Sequence, residues 1–250
     1  MANVSENNNN SSRLLSDSSA FGVKEAYNTA RTNIMYLNNT VKCPVYGITS
    51  AVPNEGKSLT SSNIAVSFAK LGKKVLLIDC DMRSATQANT FSTKIKVGLS
   101  EYLSGIHSEP VIQKVKQENL FLIIAGKRPP NPSELLNNQR MVDLLKTARE
   151  EYDYVFLDFP PITVVSDASA LAEKVDGYIF VVESNYSDAR FVAKAISMLK
   201  NVNAKIAGFV LNGVNPKGGI NHYYSAKRYS YGKYNKYGSY GLYGDDYDKN

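Results

Sequence analysis

Six short apolar runs punctuate the chain, at 45–49, 75–78, 120–125, 154–157, 178–182 and 207–211. Each is flanked by turn-forming or polar residues. Most are continuous rather than alternating, which suits strands buried on both faces. Between them lie stretches of helical character at 58–71, 133–151, 167–174 and 188–200. The segment 84–118 shows no clean period and is expected to hold one or two short helices. Ahead of the first run, Val23, Ala26, Tyr27, Ala30, Ile34 and Leu37 repeat at helical spacing. That spacing predicts a helix over 22–38 with one apolar stripe. Strands alternating with helices predict an α/β fold, a doubly wound and mostly parallel sheet.

The two ends read differently. Residues 1–20 are rich in Asn and Ser and predict a flexible tail. Beyond residue 216, Ile220 and Leu242 are the only members of the Val, Ile, Leu, Met and Phe set. Such a segment buries too little apolar surface to offset its ordering entropy, so 217–250 reads as a second flexible tail. The folded unit is then 21–216. Tyrosine is concentrated in the second tail: of 17 in the chain, nine are Tyr223, Tyr224, Tyr229, Tyr231, Tyr234, Tyr237, Tyr240, Tyr243 and Tyr247.

A chain of 250 residues with 43% hydrophobic and 21% charged residues can bury a sizeable core, which excludes a wholly disordered or fibrous protein. Of its net charge of +6, −1 falls in 1–20, +3 in 217–250 and only +4 over the intervening core, so no nucleic-acid partner is demanded. The two cysteines, Cys43 and Cys80, make no disulfide framework and predict buried thiols in a reducing cytoplasm. No apolar run approaches membrane-spanning length, and the first residues carry no signal-like apolar segment. Any membrane association is therefore expected through a partner or a surface contact.

The clearest motif lies between the first apolar run and the first long helix: Ser50-Ala51-Val52-Pro53-Asn54-Glu55-Gly56-Lys57-Ser58-Leu59. Gly56, Lys57 and Ser58 match the end of the pattern G-x-x-x-x-G-K-[ST], while Ala51 replaces its first glycine. Gly56 lets backbone N–H groups approach phosphate oxygens at a helix N-terminus. Lys57 is placed to neutralise phosphates, and the Ser58 hydroxyl to ligate Mg²⁺. Residues 53–59 are thus the expected ATP-binding loop.

Three aspartates follow the apolar part of a strand, where ligands of open parallel sheets bind. Asp79 and Asp81, two apart, share a face if the strand persists. Asp158 sits where a Walker-B carboxylate holds Mg²⁺ directly or through water. Asp79 suits either metal contact or acceptance of a proton from an attacking hydroxyl, and so does Asp81. An aspartate after a strand can also simply cap a turn.

Together these segments resemble the bacterial tyrosine kinases that control capsule and exopolysaccharide synthesis. The resemblance is carried by A-V-P-N-E-G-K-S at 51–58, I-D-C-D-M-R at 78–83, P-P-N-P-S-E-L-L at 129–136, L-D-F-P-P at 157–161 and the tyrosine-rich C-terminus. It implies that Lys57 binds ATP phosphates and that Ser58, Asp79 and Asp158 hold Mg²⁺. Asp79 and Asp81 match the family's catalytic aspartates, and the nine tyrosines would be autophosphorylation sites. It further implies a transmembrane adaptor, a ring-like homo-oligomer, a cognate phosphotyrosine phosphatase, and a cytoplasmic kinase held at the inner membrane face. The family's oligomerisation motif, E-x-x-R-x-x-R, survives here only as Glu25 and Arg31, with Asn28 in place of the first arginine. Phe159 stands where the family usually has a small polar residue. In related P-loop ATPases an asparagine at the position of Asn212 reads the adenine edge, although Asn-Gly also simply makes turns.

Two other classes fit parts of this pattern. A partitioning or positioning ATPase would carry K-G-G-x-G-K-[ST], but Val52, Pro53 and Asn54 occupy the signature lysine and glycine positions. A nucleotide-binding scaffold presenting tyrosines to another kinase would not need Lys57, Ser58, Asp79, Asp81 and Asp158 together.

Overall fold

The computed structural model describes residues 13–37 and 40–214. Seven strands form one sheet: β1 (Val45–Ser50), β2 (Val75–Asp79), β3 (Gln113–Lys114), β4 (Leu120–Ile123), β5 (Tyr154–Asp158), β6 (Gly177–Glu183) and β7 (Ile206–Asn212). Their order is β3-β4-β2-β5-β1-β6-β7, and only the short β3 runs antiparallel to its neighbour. The helices are α1 (Phe21–Leu37), α2 (Lys57–Lys70), α3 (Gln87–Thr90), α4 (Leu99–Leu103), α5 (Pro132–Leu136), α6 (Gln139–Glu151) and α7 (Ala189–Asn201). The expected parallel α/β sheet is therefore present, with all six apolar runs as strands.

Successive strand residues feed two cores, one on each sheet face. Val155 and Leu157 pack with Leu144, Leu145 and Tyr178 on one side. Phe156, between them, packs with Ile64, Phe68 and Tyr46 on the other. Burial on both faces explains why β1, β2 and β5 read as continuous apolar runs. At the edge, β7 is different: Phe209 and Leu211 are 56% and 45% exposed, and a groove lined by α1 residues such as Ala30 and Ile34 runs beside them.

Several local readings need correction. The single helix expected over 133–151 is two, α5 and α6, because Asn137 and Asn138 intervene and the Asn138 side chain caps α6 by accepting from Met141 N. The helix expected at 167–174 is only a 3-10 turn, Ser169–Leu171. In α1 the predicted stripe is only partly inward: Ile34 is buried, whereas Val23 and Leu37 are exposed. Within residues 13–20, read as the end of a flexible tail, Leu14 and Leu15 pack inward while Arg13, Ser16, Asp17, Ser18 and Ala20 are exposed. Leu14 and Leu15 are buried over α2, and Leu15 N donates to Asn63 Oδ1 at 2.7 Å. Two leucines in a polar stretch carry no period, so their docking was not legible. The second tail and its nine tyrosines lie outside the described residues.

Phe159 has a physical explanation. Its ring is fully buried 5.9 Å from that of Tyr178. A Cβ on Gly47 would stand 2.5 Å from Tyr178 and 3.0 Å from Phe159. The bare glycine backbone in β1 makes room for both rings.

Candidate active site

The carboxyl ends of β1, β2 and β5 converge at one edge of the sheet. In the register, Asp79 stands beside Asp158, and Asp158 beside Ile48 of β1. After β1 the chain turns through 51–56 and enters α2. Asn54 and Gly56 both adopt positive φ, 66° and 77°, so the loop curls tightly and presents the N-terminus of α2. All sequence-predicted residues of the nucleotide loop and all three aspartates therefore meet in one place.

Lys57 is almost fully buried and forms a 3.1 Å ion pair with Asp81 Oδ2, and its ammonium also donates to Ser58 Oγ. Asp81 Oδ1 accepts from Ser84 N at 2.9 Å. Asp79 is fully buried and accepts backbone N–H groups on both oxygens: Asp81 N on Oδ1, Thr86 N and Gln87 N on Oδ2. Burial, with Asp158 and Asp81 nearby, pushes the Asp79 carboxyl well above the usual carboxylate range. Burial likewise raises Asp158, against the opposing influence of Lys57.

Asp158 has an uneven environment. Its Oδ2 accepts from Gln87 Nε2 at 2.7 Å. Its Oδ1 is buried without a hydrogen-bond partner among the described residues. A buried carboxylate oxygen left open beside the Lys57-Ser58 turn is what a hard cation needs, so the residues fit Mg²⁺. Among the described residues no group of three or more His, Cys, Asp or Glu is placed to hold a metal ion by itself. Mg²⁺ is commonly held by one or two carboxylates together with substrate phosphates and water.

The remaining loop residues face other tasks. Glu55 turns inward: its carboxylate accepts from Val52 N at 2.7 Å and from the Ser187 hydroxyl, and burial raises its pKa. Pro53 O accepts from the Tyr186 hydroxyl. Asn212 lies across the loop, donating from Nδ2 to Glu55 O at 3.2 Å and to Glu183 Oε2 at 2.6 Å. Its amide donors are thus engaged within the protein, and a base contact would compete with them. Away from the site, Arg31 donates to Ser67 O on α2, and Glu25 accepts from Asn28.

Three participants were missed by sequence reasoning. Gln87, in the unread segment, joins Asp79 and Asp158 to α2. Asp167, fully buried, receives Arg83 on both oxygens and accepts from the Ser133 hydroxyl, tying 78–83 to the P-P-N-P-S-E-L-L segment. Glu183 anchors Asn212. None carries a local signal, although Arg83 and Ser133 lie inside motifs already noted.

A parallel sheet with a phosphate loop at the end of β1 and carboxylates at the ends of β2 and β5 defines a P-loop nucleotide-binding fold. The model of the AAA domain matches residues 54–209. The chain is 40% identical over 190 residues to the tyrosine-protein kinase YwqD of Bacillus subtilis, covering 76% of this chain and 80% of that one. It is 35% identical to the tyrosine-protein kinase etk of Escherichia coli K12, covering 84% of this chain but 29% of that longer one. The solved kinase domain of the Escherichia coli tyrosine kinase ETK superposes with a TM-score of 0.76, covering 83% of this chain and 79% of that chain. The septum site-determining protein MinD of Pyrococcus horikoshii, solved with Mg-ADP, shares the fold alone, at 21% identity, a TM-score of 0.57 and coverage of 68% and 70%. The chain belongs to the bacterial tyrosine-protein kinase family. Among the described residues, no helix is long and apolar enough to cross a membrane.

Proposed function

We propose that this tyrosine kinase uses Mg·ATP to phosphorylate the C-terminal tyrosines of a neighbouring copy, and that it thereby regulates capsular or exopolysaccharide synthesis. The carrying observation is the convergence of Lys57, Asp79, Asp81 and Asp158 on one phosphate loop. Backbone N–H groups of 54–58 hold the ATP phosphates. Lys57 moves from Asp81 to those phosphates, and Asp81 Oδ2 is released beside the incoming hydroxyl. The tyrosine oxygen bonds to the γ-phosphorus, the bond from that phosphorus to the bridging oxygen breaks, ADP leaves, and the phenolic proton passes to Asp81. Asp79, both oxygens occupied, orders the turn that presents Asp81. Bound Mg²⁺ would neutralise phosphate charge, with Ser58 and Asp158 Oδ1 as its holders. Positioning and charge stabilisation suffice for such a transfer.

A random-coil chain of about 20 residues spans roughly 25 Å, the reach that transfer between subunits calls for. Each phosphate adds about −1.5 to −2 charges, so three reverse the sign of a +3 segment and weaken subunit contacts. The reading includes a membrane adaptor as activator, a ring-like assembly using Glu25 and Arg31, and a phosphotyrosine phosphatase that resets it. Location at the cytoplasmic membrane face follows from the adaptor.

The test incubates purified protein with Mg·ATP and detects phosphotyrosine by mass spectrometry, with the adaptor's cytoplasmic segment added if the protein alone is silent. Phosphate on Tyr223 through Tyr247 in the wild type, absent from Lys57→Met, is expected. No phosphotyrosine under any condition, with ATP hydrolysis stimulated by DNA or lipid, would instead establish a positioning ATPase.

A further inference from the structure

Gln87 occupies an unusual place. It opens α3, a single turn, and its side chain is fully buried. Its Nε2 lies 2.7 Å from Asp158 Oδ2, 3.0 Å from Ser58 O and 3.1 Å from Ser61 Oγ. Its Oε1 accepts from the Ser62 hydroxyl at 2.7 Å. The amide orientation is decided by these partners. The opposite flip would set Oε1 against a carboxylate and a carbonyl, neither of which can donate. One side chain therefore ties the end of β5 to the first turn of α2, while its own backbone N–H is given to Asp79.

This arrangement divides the two oxygens of Asp158. Oδ2 is consumed by a charge-assisted bond inside the protein. Oδ1 is buried with no hydrogen-bond partner of good geometry, the nearby Ser58 hydroxyl acting on the carboxyl only by favouring its charged form. Without Gln87 the carboxylate could rotate about its terminal torsion, which is soft. It would then satisfy Oδ1 on a protein donor or move toward Lys57, which already favours its charged form. A residue that only filled space in this pocket would not need a donor aimed at the carboxylate.

We propose that Gln87 is a positioning residue for the Mg²⁺ of this site. It holds Asp158 by Oδ2, keeps the Ser58 turn at a constant distance from it, and so reserves Oδ1 for the ion or its bound water. The proposal rests on the Mg·nucleotide reading above but not on which hydroxyl is phosphorylated. Groups that orient a metal-binding carboxylate commonly change metal affinity by about 10- to 100-fold when removed.

The test is calorimetric titration of the full-length protein with ADP, in EDTA and in excess Mg²⁺. The quantity read is the ratio of the two dissociation constants. Gln87→Met keeps length and volume but removes both polar ends. The expected result is a ratio reduced about tenfold or more, with ADP affinity in EDTA within about twofold of wild type. Ser62→Ala, which loosens the amide without touching Asp158, is expected to lower the ratio a few-fold in the same direction. A lower melting temperature with the wild-type ratio would assign Gln87 a structural role and overturn the proposal. Equal loss of affinity in EDTA and in Mg²⁺ would overturn it as well. If Gln87→Met does not fold, Ser62→Ala decides, and an unchanged ratio there is a refutation. A wild type whose ADP affinity ignores Mg²⁺ would refute the underlying metal-site reading instead.

Discussion

Replacing Gly56 by alanine tests how tightly the phosphate loop is clamped from above. Gly56 has φ of 77°, and a left-handed conformation costs a residue with a Cβ about 1–2 kcal/mol. The new Cβ would stand 2.1 Å from Asn212 Nδ2, so the Asn212 side chain must leave. Its departure breaks the bonds to Glu55 O and Glu183 Oε2. The first contributes about 1 kcal/mol. The second, to a carboxylate that is only half-buried, is discounted to about the same. Gly56→Ala should therefore cost about 3–4 kcal/mol, and Asn212→Ala about 2 kcal/mol. The two bonds are lost once, whichever change comes first. The double variant should then cost about as much as Gly56→Ala alone, a coupling of about 2 kcal/mol. Urea unfolding in nucleotide-free, Mg²⁺-free buffer measures all three, because bound ligand would add its own stabilisation. Additivity to within about 0.5 kcal/mol would show that Asn212 does not rest on the loop as described. So would a Gly56→Ala cost below about 1 kcal/mol.

Other consequences follow from the same geometry. Phe159→Ala, which empties a fully buried ring site against Tyr178, should destabilise by about 3–5 kcal/mol in chemical denaturation. Arg83→Lys loses the two-pronged contact to Asp167, with Nε at 3.1 Å and NH2 at 3.3 Å, and should cost about 1–3 kcal/mol while lowering phosphorylation by the Lys57-dependent activity. The raised pKa values of Asp79 and Asp158 give pH dependence with a definite sign. A folded pKa above the unfolded one contributes stability at low pH that is lost as pH rises. In the absence of Mg²⁺ and nucleotide, wild type should therefore gain stability relative to Asp158→Asn on going from about pH 8 to about pH 5, by at most about 1.4 kcal/mol per unit. A difference that is flat or grows in the opposite direction in pH-dependent unfolding would contradict the buried, cation-seeking carboxyl pair.

The phosphate loop, the strand-end aspartates and the parallel sheet were legible along the chain, because each has a local cause. A strand buried on both faces must be continuously apolar, as at Val75 to Ile78 and Val155 to Leu157. A loop that receives phosphates at a helix N-terminus needs its glycine, lysine and serine in immediate succession. Those constraints act over a few residues, so they leave a pattern in sequence, and family resemblance reinforced them.

What tertiary structure alone decided involves partners far apart in the chain. Gln87 meets Asp158 across 71 positions, and Asn212 meets Glu55 across 157. Neither pairing imposes a period, a composition or a spacing on its neighbourhood. The docking of Leu14 and Leu15, the exposure of Phe209, and the space over Gly47 that admits Phe159 are likewise settled by which elements pack together. Sequence determined that an anion-binding loop and carboxylates would share one edge of a sheet. The fold determined which oxygen of Asp158 is left open there, because only a buried network closed in three dimensions can satisfy one carboxylate oxygen and withhold a partner from the other.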